Sequence, residues 1–376
     1  MRERFEVILA GGGTGGHLFP ALAVADELKR RRPDTTIGFV GSRDGLENRL
    51  VPAAGYPLWT LPLSGLKGAG AARRMRAAAA AAVGTVRCAA WMAGRGIRLV
   101  VGAGGFASGP AVLAARVTLK KTMLLEQNHF PGATNRALAR GAHAVCLPGP
   151  DAAARIGGRR FVVGNPVRPA FAALAPLEAR PDPTLLAFGG SRGARSLNRA
   201  LVRALPALAA RAVPPRIVHQ TGPADHATTR ESYANLYPAE RFEVVPFLDD
   251  MPARMETADL VLARSGAGTI AELAAAGRPA ILVPYPHAAD DHQRYNAQAL
   301  VDAGAAQLVP DAQLADEEWI DALTALLDDA DARVRMGRAA RTLARADAAA
   351  RIVDLAEALL DGRPWPFAPY GEAEAA

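Results

Sequence analysis

Four glycine-rich strings are the places where this sequence could do chemistry. Gly11-Gly12-Gly13-Thr14-Gly15-Gly16-His17 and Gly102-Ala103-Gly104-Gly105-Phe106-Ala107-Ser108-Gly109 each follow a short apolar run. Gly189-Gly190-Ser191-Arg192-Gly193-Ala194 repeats the pattern, as does Arg264-Ser265-Gly266-Ala267-Gly268-Thr269, which leads into a helical stretch carrying Glu272. Glycine lets the backbone turn tightly and lets a ligand approach, and the N–H groups opening the next helix then face an anion. Each helix N-terminus contributes roughly 0.3–1 kcal/mol when exposed and up to about 2 when partly buried. One such loop says little, because any strand-to-helix turn can use glycine for packing. Four at the carboxyl ends of expected strands fall where open α/β sheets bind ligands, and a diphosphate is the ligand they suit.

His17 closes the first loop. An ordinary imidazole pKa near 6.5 lets it take a proton at neutral pH, so it is the candidate catalytic base. The same ring could instead hydrogen-bond a phosphate or cap the loop. Gly11, Gly13 and Gly16 also satisfy the dinucleotide fingerprint, but the second expected strand ends Phe39-Val40-Gly41-Ser42-Arg43 with no acid for a ribose. Arg43 would serve a 2′-phosphate, which keeps an NADP-linked oxidoreductase as the alternative. The one Asp-x-Asp triplet, Asp329-Ala330-Asp331, lies in a charged helical stretch and reads as a solvated face. The expectation is therefore a site with no metal and no cofactor. Cys88 and Cys146 stand alone, which argues against disulfides or a zinc site and fits a reducing compartment.

The elements that must position these loops alternate in type. Strands are expected at 6–10, 36–40, 58–61, 99–101, 122–126, 144–147 and 161–163, with helices between most of them, notably 18–31 and 71–93. A proline-rich stretch follows, and then strands return at 184–188, 216–220, 242–246, 260–263, 279–283 and 306–309. The end is helical over 315–360, and the tail beyond it is expected to fray. Alternation of this kind means mostly parallel, doubly wound sheets. The expected division is 1–164 as one Rossmann-like domain, 165–183 as linker, 184–346 as a second such domain, and 347–376 as a C-terminal helix and tail, with a cleft between the domains.

At 376 residues and 50% apolar composition, the chain can bury two cores. It has no run of about 18 apolar residues and no signal-peptide core, so no membrane span is expected. Its net charge of +7 is unevenly placed: through Asn165 there are 23 basic residues against 9 acidic, and beyond it 21 against 28. Between Glu47 and Glu126 no acid occurs, while Arg49, Lys67, Arg73, Arg74, Arg76, Arg87, Arg95, Arg98, Arg116, Lys120 and Lys121 all do. Such a field suits anionic lipid, a pyrophosphate substrate or nucleic acid. A basic surface-binding protein without chemistry would show the same field but would need no glycine loops.

GGGTGGH, GAGGFASGP, EQN (126–128), GNPVR (164–168), GGSRGARSLN, RSGAGTIAE (264–272) and DHQRYNA (291–297) occur in this order. The sequence thereby resembles the MurG family of peptidoglycan N-acetylglucosaminyltransferases over nearly its whole length. That resemblance implies the GT-B fold, two tandem Rossmann-like α/β domains with the acceptor in the first and the donor mainly in the second. It implies metal-independent transfer of GlcNAc from UDP-GlcNAc, with inversion, to the C4 hydroxyl of the muramyl sugar of lipid I (undecaprenyl-pyrophosphoryl-MurNAc-peptide). The product is lipid II, made at the cytoplasmic face of the plasma membrane, where the enzyme would sit peripherally on an anionic surface and bind no nucleic acid.

Carried over by residue, Thr14, Gly15 and Gly16 border the donor phosphates and acceptor pyrophosphate, and Asn128 touches the GlcNAc. Arg168 and Ser191 lie near the nucleotide and its diphosphate, and Leu248 reads the uracil through its backbone. Ala267, Gly268, Thr269, Ile270, Ala271 and Glu272 hold the diphosphate and ribose, and Gln293 binds sugar hydroxyls. Gly268 departs from the family by standing where a larger residue is expected, and His292 by standing where a second Gln can occur.

Overall fold

The computed structural model describes residues 4–13, 15–43, 45–61, 71–190 and 192–372, with backbone alone over 71–78. The chain divides into two compact units, Met1–Val167 with Asp347–Ala376, and Arg168–Ala346.

The first unit holds seven strands: β1 (Val7–Ala10), β2 (Ile37–Ser42), β3 (Leu58–Leu61), β4 (Leu99–Gly102), β5 (Lys121–Leu125), β6 (Ala144–Leu147) and β7 (Arg160–Val162). Between them run α1 (Gly15–Arg31), α2 (Glu47–Ala53), α3 (Ala71–Met92), α4 (Ser108–Val117), α5 (Ala133–Leu138) and α6 (Pro150–Ala153). All pairs are parallel, in the order β3-β2-β1-β4-β5-β6-β7. Strands covered on both faces are apolar throughout, and alternate side chains feed different layers. Val7 and Leu9 join one core with Leu18, Val24 and Leu28, while Ile8 and Ala10 join another with Cys88, Met92 and Ala111.

The second unit opens with α7 (Pro169–Ala172). Its six strands are β8 (Thr184–Phe188), β9 (Arg216–Gln220), β10 (Phe242–Val245), β11 (Leu260–Ala263), β12 (Ala280–Leu282) and β13 (Ala306–Leu308). Its further helices are α8 (Arg195–Ala209), α9 (His226–Leu236), α10 (Met251–Thr257), α11 (Ala267–Ala276), α12 (His292–Asp302), α13 (Glu318–Asp328) and α14 (Ala330–Thr342). The sheet is again parallel, in the order β10-β9-β8-β11-β12-β13. A last helix, α15 (Ala348–Asp361), returns to the first unit and packs on α1.

The structure corrects three local expectations. First, α1 begins at Gly15 rather than Leu18, so Pro20 lies inside it and removes the ladder bond to the Gly16 carbonyl. Second, the proline-rich stretch is not a bare linker. Phe171 on α7 is fully buried, and the carbonyls of Leu174, Ala175 and Arg180 accept from Arg341, Arg278 and Arg333, three side chains of the second unit. Third, the tail packs rather than frays. Trp365 and Phe367 meet Phe161 with ring centroids 5.1 and 5.7 Å apart, and the Tyr370 N–H donates to the Arg160 carbonyl at 2.7 Å. The guanidinium groups of Arg159, Arg351 and Arg160 lie over Trp365, Phe367 and Tyr370, respectively.

Candidate active site

In each sheet the strand order reverses between two neighbours, β1 and β4 in the first unit and β8 and β11 in the second. Connections leave such a pair in opposite directions and open a crevice at the carboxyl ends. All four glycine loops arise there.

In the first unit, loops 11–13 and 103–105 lie back to back. A Cβ on Gly11 would stand 3.0 Å from the Gly104 oxygen, and one on Gly105 would stand 2.5 Å from the Gly12 oxygen, so only glycine permits this approach. Gly15 and Gly16 open α1, and His17 sits in its first turn with its ring against Gly104, where an added Cβ would come within 2.8 Å of the imidazole Cδ2. The next loop is tied on by Gln127, whose amide donates to the Ala103 carbonyl at 3.1 Å. Asn128 is oriented by buried Glu126, whose Oε1 accepts from the Asn128 N–H at 2.9 Å and from its side-chain amide at 3.1 Å. Glu126 Oε2 accepts from the Gly132 N–H and from Asn135, both at 2.9 Å. The structure thus brings Gly15, Gly16, His17 and Asn128 to adjoining loops.

Three residues here escaped the sequence reading. Glu47, 1% exposed, accepts from the Gly13 N–H at 2.8 Å and from Ser42 through N–H and hydroxyl at 2.7 and 2.6 Å. Burial pushes its carboxyl up, but these bonds outweigh burial and hold it below the ordinary glutamate range. His129 Nδ1 lies 2.8 Å from both carboxylate oxygens of Asp151. Burial raises the Asp151 carboxyl and the bond to His129 lowers it, with the net direction downward. The sequence signal for Glu47 was its place beside Gly41 and Gly45; for His129 it was adjacency to the EQN string.

In the second unit, Gly193 has a positive φ of 74° and presses on the Thr221 carbonyl, with no room for a side chain. Gln220, at the end of β9, donates to the Gly190 carbonyl at 2.9 Å and accepts from the Leu248 N–H at 3.1 Å. Leu248 is buried and its N–H is taken, so a base could be read there only through the carbonyl.

Ala267, Gly268, Thr269, Ile270, Ala271 and Glu272 form the first two turns of α11, whose N-cap Gly266 offers no side-chain acceptor. The N–H groups of that first turn therefore have no capping side chain, and helix dipole and donors together suit an anion. Gly268 faces open space, so the larger residue expected there would have room. Arg264, by contrast, is structural: it is buried, 2.5 Å from Asp311, and donates to the Val283 and Pro284 carbonyls at 3.1 Å and to Ser196 Oγ at 2.7 Å.

Glu272 lies 3.5 Å from Arg168, whose guanidinium stacks 4.8 Å over Phe171. Burial pushes the Glu272 carboxyl up to about 7, against the opposing pull of Arg168. Gln293, in the first turn of α12, accepts from the Tyr285 N–H at 2.9 Å, and its own carbonyl accepts from Ser265 Oγ at 2.8 Å. His292 turns back onto the Ala289 carbonyl at 2.7 Å. Thr14 and Ser191 lie outside the described residues.

Comparison with known proteins finds relatives over nearly the whole chain. The glycosyltransferase family 28 N-terminal domain matches residues 7–147, and the family's C-terminal domain matches residues 184–352. The UDP-N-acetylglucosamine--N-acetylmuramyl-(pentapeptide) pyrophosphoryl-undecaprenol N-acetylglucosamine transferase of Solibacter usitatus is 42% identical over 355 residues, covering 93% of this chain and 95% of the relative. The same-named protein of Methylococcus capsulatus is 43% identical over 344 residues, covering 91% and 95%. The crystal structure of Acinetobacter baumannii MurG superposes with a TM-score of 0.78 at 32% identity, covering 94% of this chain and 99% of that one.

Proposed function

Because the chain belongs to glycosyltransferase family 28, we propose that it moves N-acetylglucosamine from UDP-GlcNAc to the muramyl C4 hydroxyl of lipid I, giving lipid II for peptidoglycan synthesis. The observation that carries this is 42% identity across 93% of the chain to a transferase of that name. The two Rossmann-like parallel sheets are those of the GT-B class. No comparison supports the oxidoreductase alternative.

The chemistry is a direct displacement. The acceptor oxygen forms a bond to the anomeric carbon as the bond from that carbon to the diphosphate breaks, and the electron pair leaves with UDP. The uncapped N–H groups opening α11 support stabilisation of that new charge by preorganised donors, with Thr269 among them. Ser191 completes this set on the family resemblance. Glu272, as a carboxylate, accepts from the ribose hydroxyls, and Arg168 beside it opposes its protonation and neighbours the nucleotide on the family resemblance. Gln293 and Asn128 meet sugar hydroxyls, Gly15 and Gly16 border the phosphates, and Leu248 reads the uracil through its carbonyl. His17, against Gly104, takes the acceptor proton.

Among the described residues no helix is long and apolar enough to cross a membrane. We place the enzyme peripherally on the cytoplasmic face, docked by the first unit. Exposed Val83 and Val86 on α3, Leu113 and Val117 on α4, and Leu119 beyond it support this, with Arg87 and Arg116 exposed on the same helices and Lys121 at the start of β5. The deciding assay incubates the full chain with labelled UDP-GlcNAc and lipid I. Formation of labelled lipid II is expected; hydrolysis or no transfer would refute the reading.

A further inference from the structure

The first glycine loop is held from two sides. On one side lies Glu47, whose Oε2 accepts from the Gly13 N–H at 2.8 Å while its Oε1 accepts from the Ser42 N–H at 2.7 Å and from Ser42 Oγ at 2.6 Å. The chain makes space for this carboxylate with glycine. A Cβ on Gly12 or Gly45 would overlap the carboxylate, and one on Gly41 would come within 2.5 Å of Glu47 Cγ. Gly12 and Gly13 have φ of 145° and 87°, values that only glycine adopts readily. The turn before α2 is fastened by Asn48, whose amide donates to the carbonyls of Ser42, Arg43 and Gly45 at 3.0, 2.9 and 3.1 Å.

On the other side, the Gly12 carbonyl faces Gly105. In a trans peptide the Gly12 carbonyl and the Gly13 N–H point in opposite directions, so one peptide plane is clamped between Glu47 and the 103–105 loop. The outer face of Gly13 is open, with nothing within 4 Å of where a Cβ would stand. His17 begins four residues on, and its ring rests on Gly104 of the same clamping loop.

We propose that Glu47 is a positioning residue for the transfer reaction, fixing the peptide between Gly12 and Gly13 so that the loop and the His17 turn stand in reacting geometry. This rests on the transferase reading and on the first loop bordering the reacting groups. A buried acid kept only for stability would be replaceable by any group that fills its space and satisfies its neighbours. Glutamine cannot satisfy them here. The Gly13 and Ser42 N–H groups point at different oxygens, and an amide has only one; whichever way it turns, its NH2 meets a backbone donor. Glu47→Gln keeps the volume and loses the clamp. Glu47→Asp keeps both acceptors at shorter reach.

The test compares both variants with the wild-type full chain for lipid II formation, UDP-GlcNAc affinity by calorimetry, thermal stability, and amide hydrogen exchange over 11–17. Displacement of a reacting group by about 1 Å costs on the order of 100-fold in rate. Glu47→Gln should therefore lower kcat by about 100-fold, leave donor affinity within roughly twofold, and speed exchange at Gly13, with Glu47→Asp intermediate in kcat. A Glu47→Gln enzyme with wild-type kcat would overturn the proposal, as would activity loss that merely tracks the unfolded fraction. If Glu47→Gln does not fold, Glu47→Asp decides: reduced kcat at native melting temperature and unchanged donor affinity upholds the proposal, and native kcat overturns it. Wild type that makes no lipid II would instead overturn the transferase reading itself.

Discussion

Lowering the pH from 8 to 6 should weaken UDP-GlcNAc binding about tenfold, because the proposed ribose anchor titrates in that range. Burial pushes Glu272 up to about 7 in the free protein, with Arg168 opposing it. Ribose hydroxyls donate best to the carboxylate, so donor binding favours ionisation. If only the ionised form binds, the apparent Kd scales as one plus the ratio of protonated to ionised Glu272. That factor is about 1.1 at pH 8, 2 at pH 7 and 11 at pH 6.

Calorimetry at these three pH values, in two buffers of different ionisation enthalpy, reads both consequences. Affinity should fall toward pH 6, and nearly one proton should be released per donor bound there. Glu272→Gln should flatten the profile and weaken binding at pH 8 by roughly 1.5–3 kcal/mol, the loss of a charged hydrogen-bond acceptor, and Glu272→Ala should do the same. Arg168→Ala should move the profile to higher pH, since it removes the nearby cation.

The free enzyme gives an independent check of sign. A folded-state pKa raised from 4.5 to about 7 contributes stability that is fully present below the unfolded value and lost as pH rises through 7. That loss is about 3 kcal/mol at most, and Glu272→Gln should abolish it. Donor affinity that is flat from pH 6 to 8 with the wild-type chain would refute the placement of Glu272 on the ribose.

Other consequences are open to direct test. His17→Ala should cut turnover by roughly 10²–10⁴-fold with a far smaller effect on donor affinity, and a fall of only a fewfold would mean the base lies elsewhere. Activity should survive excess EDTA, because Asp329 of the only Asp-x-Asp caps α14 by accepting from the Ala332 N–H at 2.7 Å; rescue of a chelated enzyme by Mg²⁺ or Mn²⁺ would refute this. Ending the chain after Gly362 removes the aromatic contacts of Trp365 and Phe367, each pair contributing about 1 kcal/mol beyond its buried area, so the melting temperature should drop by about 5 °C; no change would show the tail to be passive. Vesicles of anionic lipid without lipid I should sediment the enzyme at low salt but not at high salt, and Val86→Glu with Val117→Glu should weaken this. Binding only when lipid I is present would limit the cations to substrate recognition.

The strands were legible as short β-rich runs alternating with helix-length segments, and five of them (Leu58–Leu61, Ala144–Leu147, Thr184–Phe188, Arg216–Gln220 and Leu260–Ala263) have the bounds their residues imply. The glycine loops were legible because close approach and positive φ demand one residue type. What sequence hid depends on partners far along the chain. Glu47 meets Gly13 34 positions away, and Trp365 meets Phe161 across some 200. Little in the local pattern marks such pairs, so the tail read as loose and Glu47 was not singled out.

That loss bears on mechanism. Read from sequence, four loops offered equivalent donors to an anion. The structure separates two of them: the Gly13 N–H of the first loop is taken by a carboxylate, while the first turn of α11 keeps its donors without a capping side chain. A diphosphate gains nothing from an N–H already bonded to a buried anion. On the proposed transferase reading, the leaving charge is therefore met by α11 in the second unit. The bonded Gly13 amide instead serves rigidity on this reading, which is what the proposed base at His17 requires to take a proton from a neutral hydroxyl.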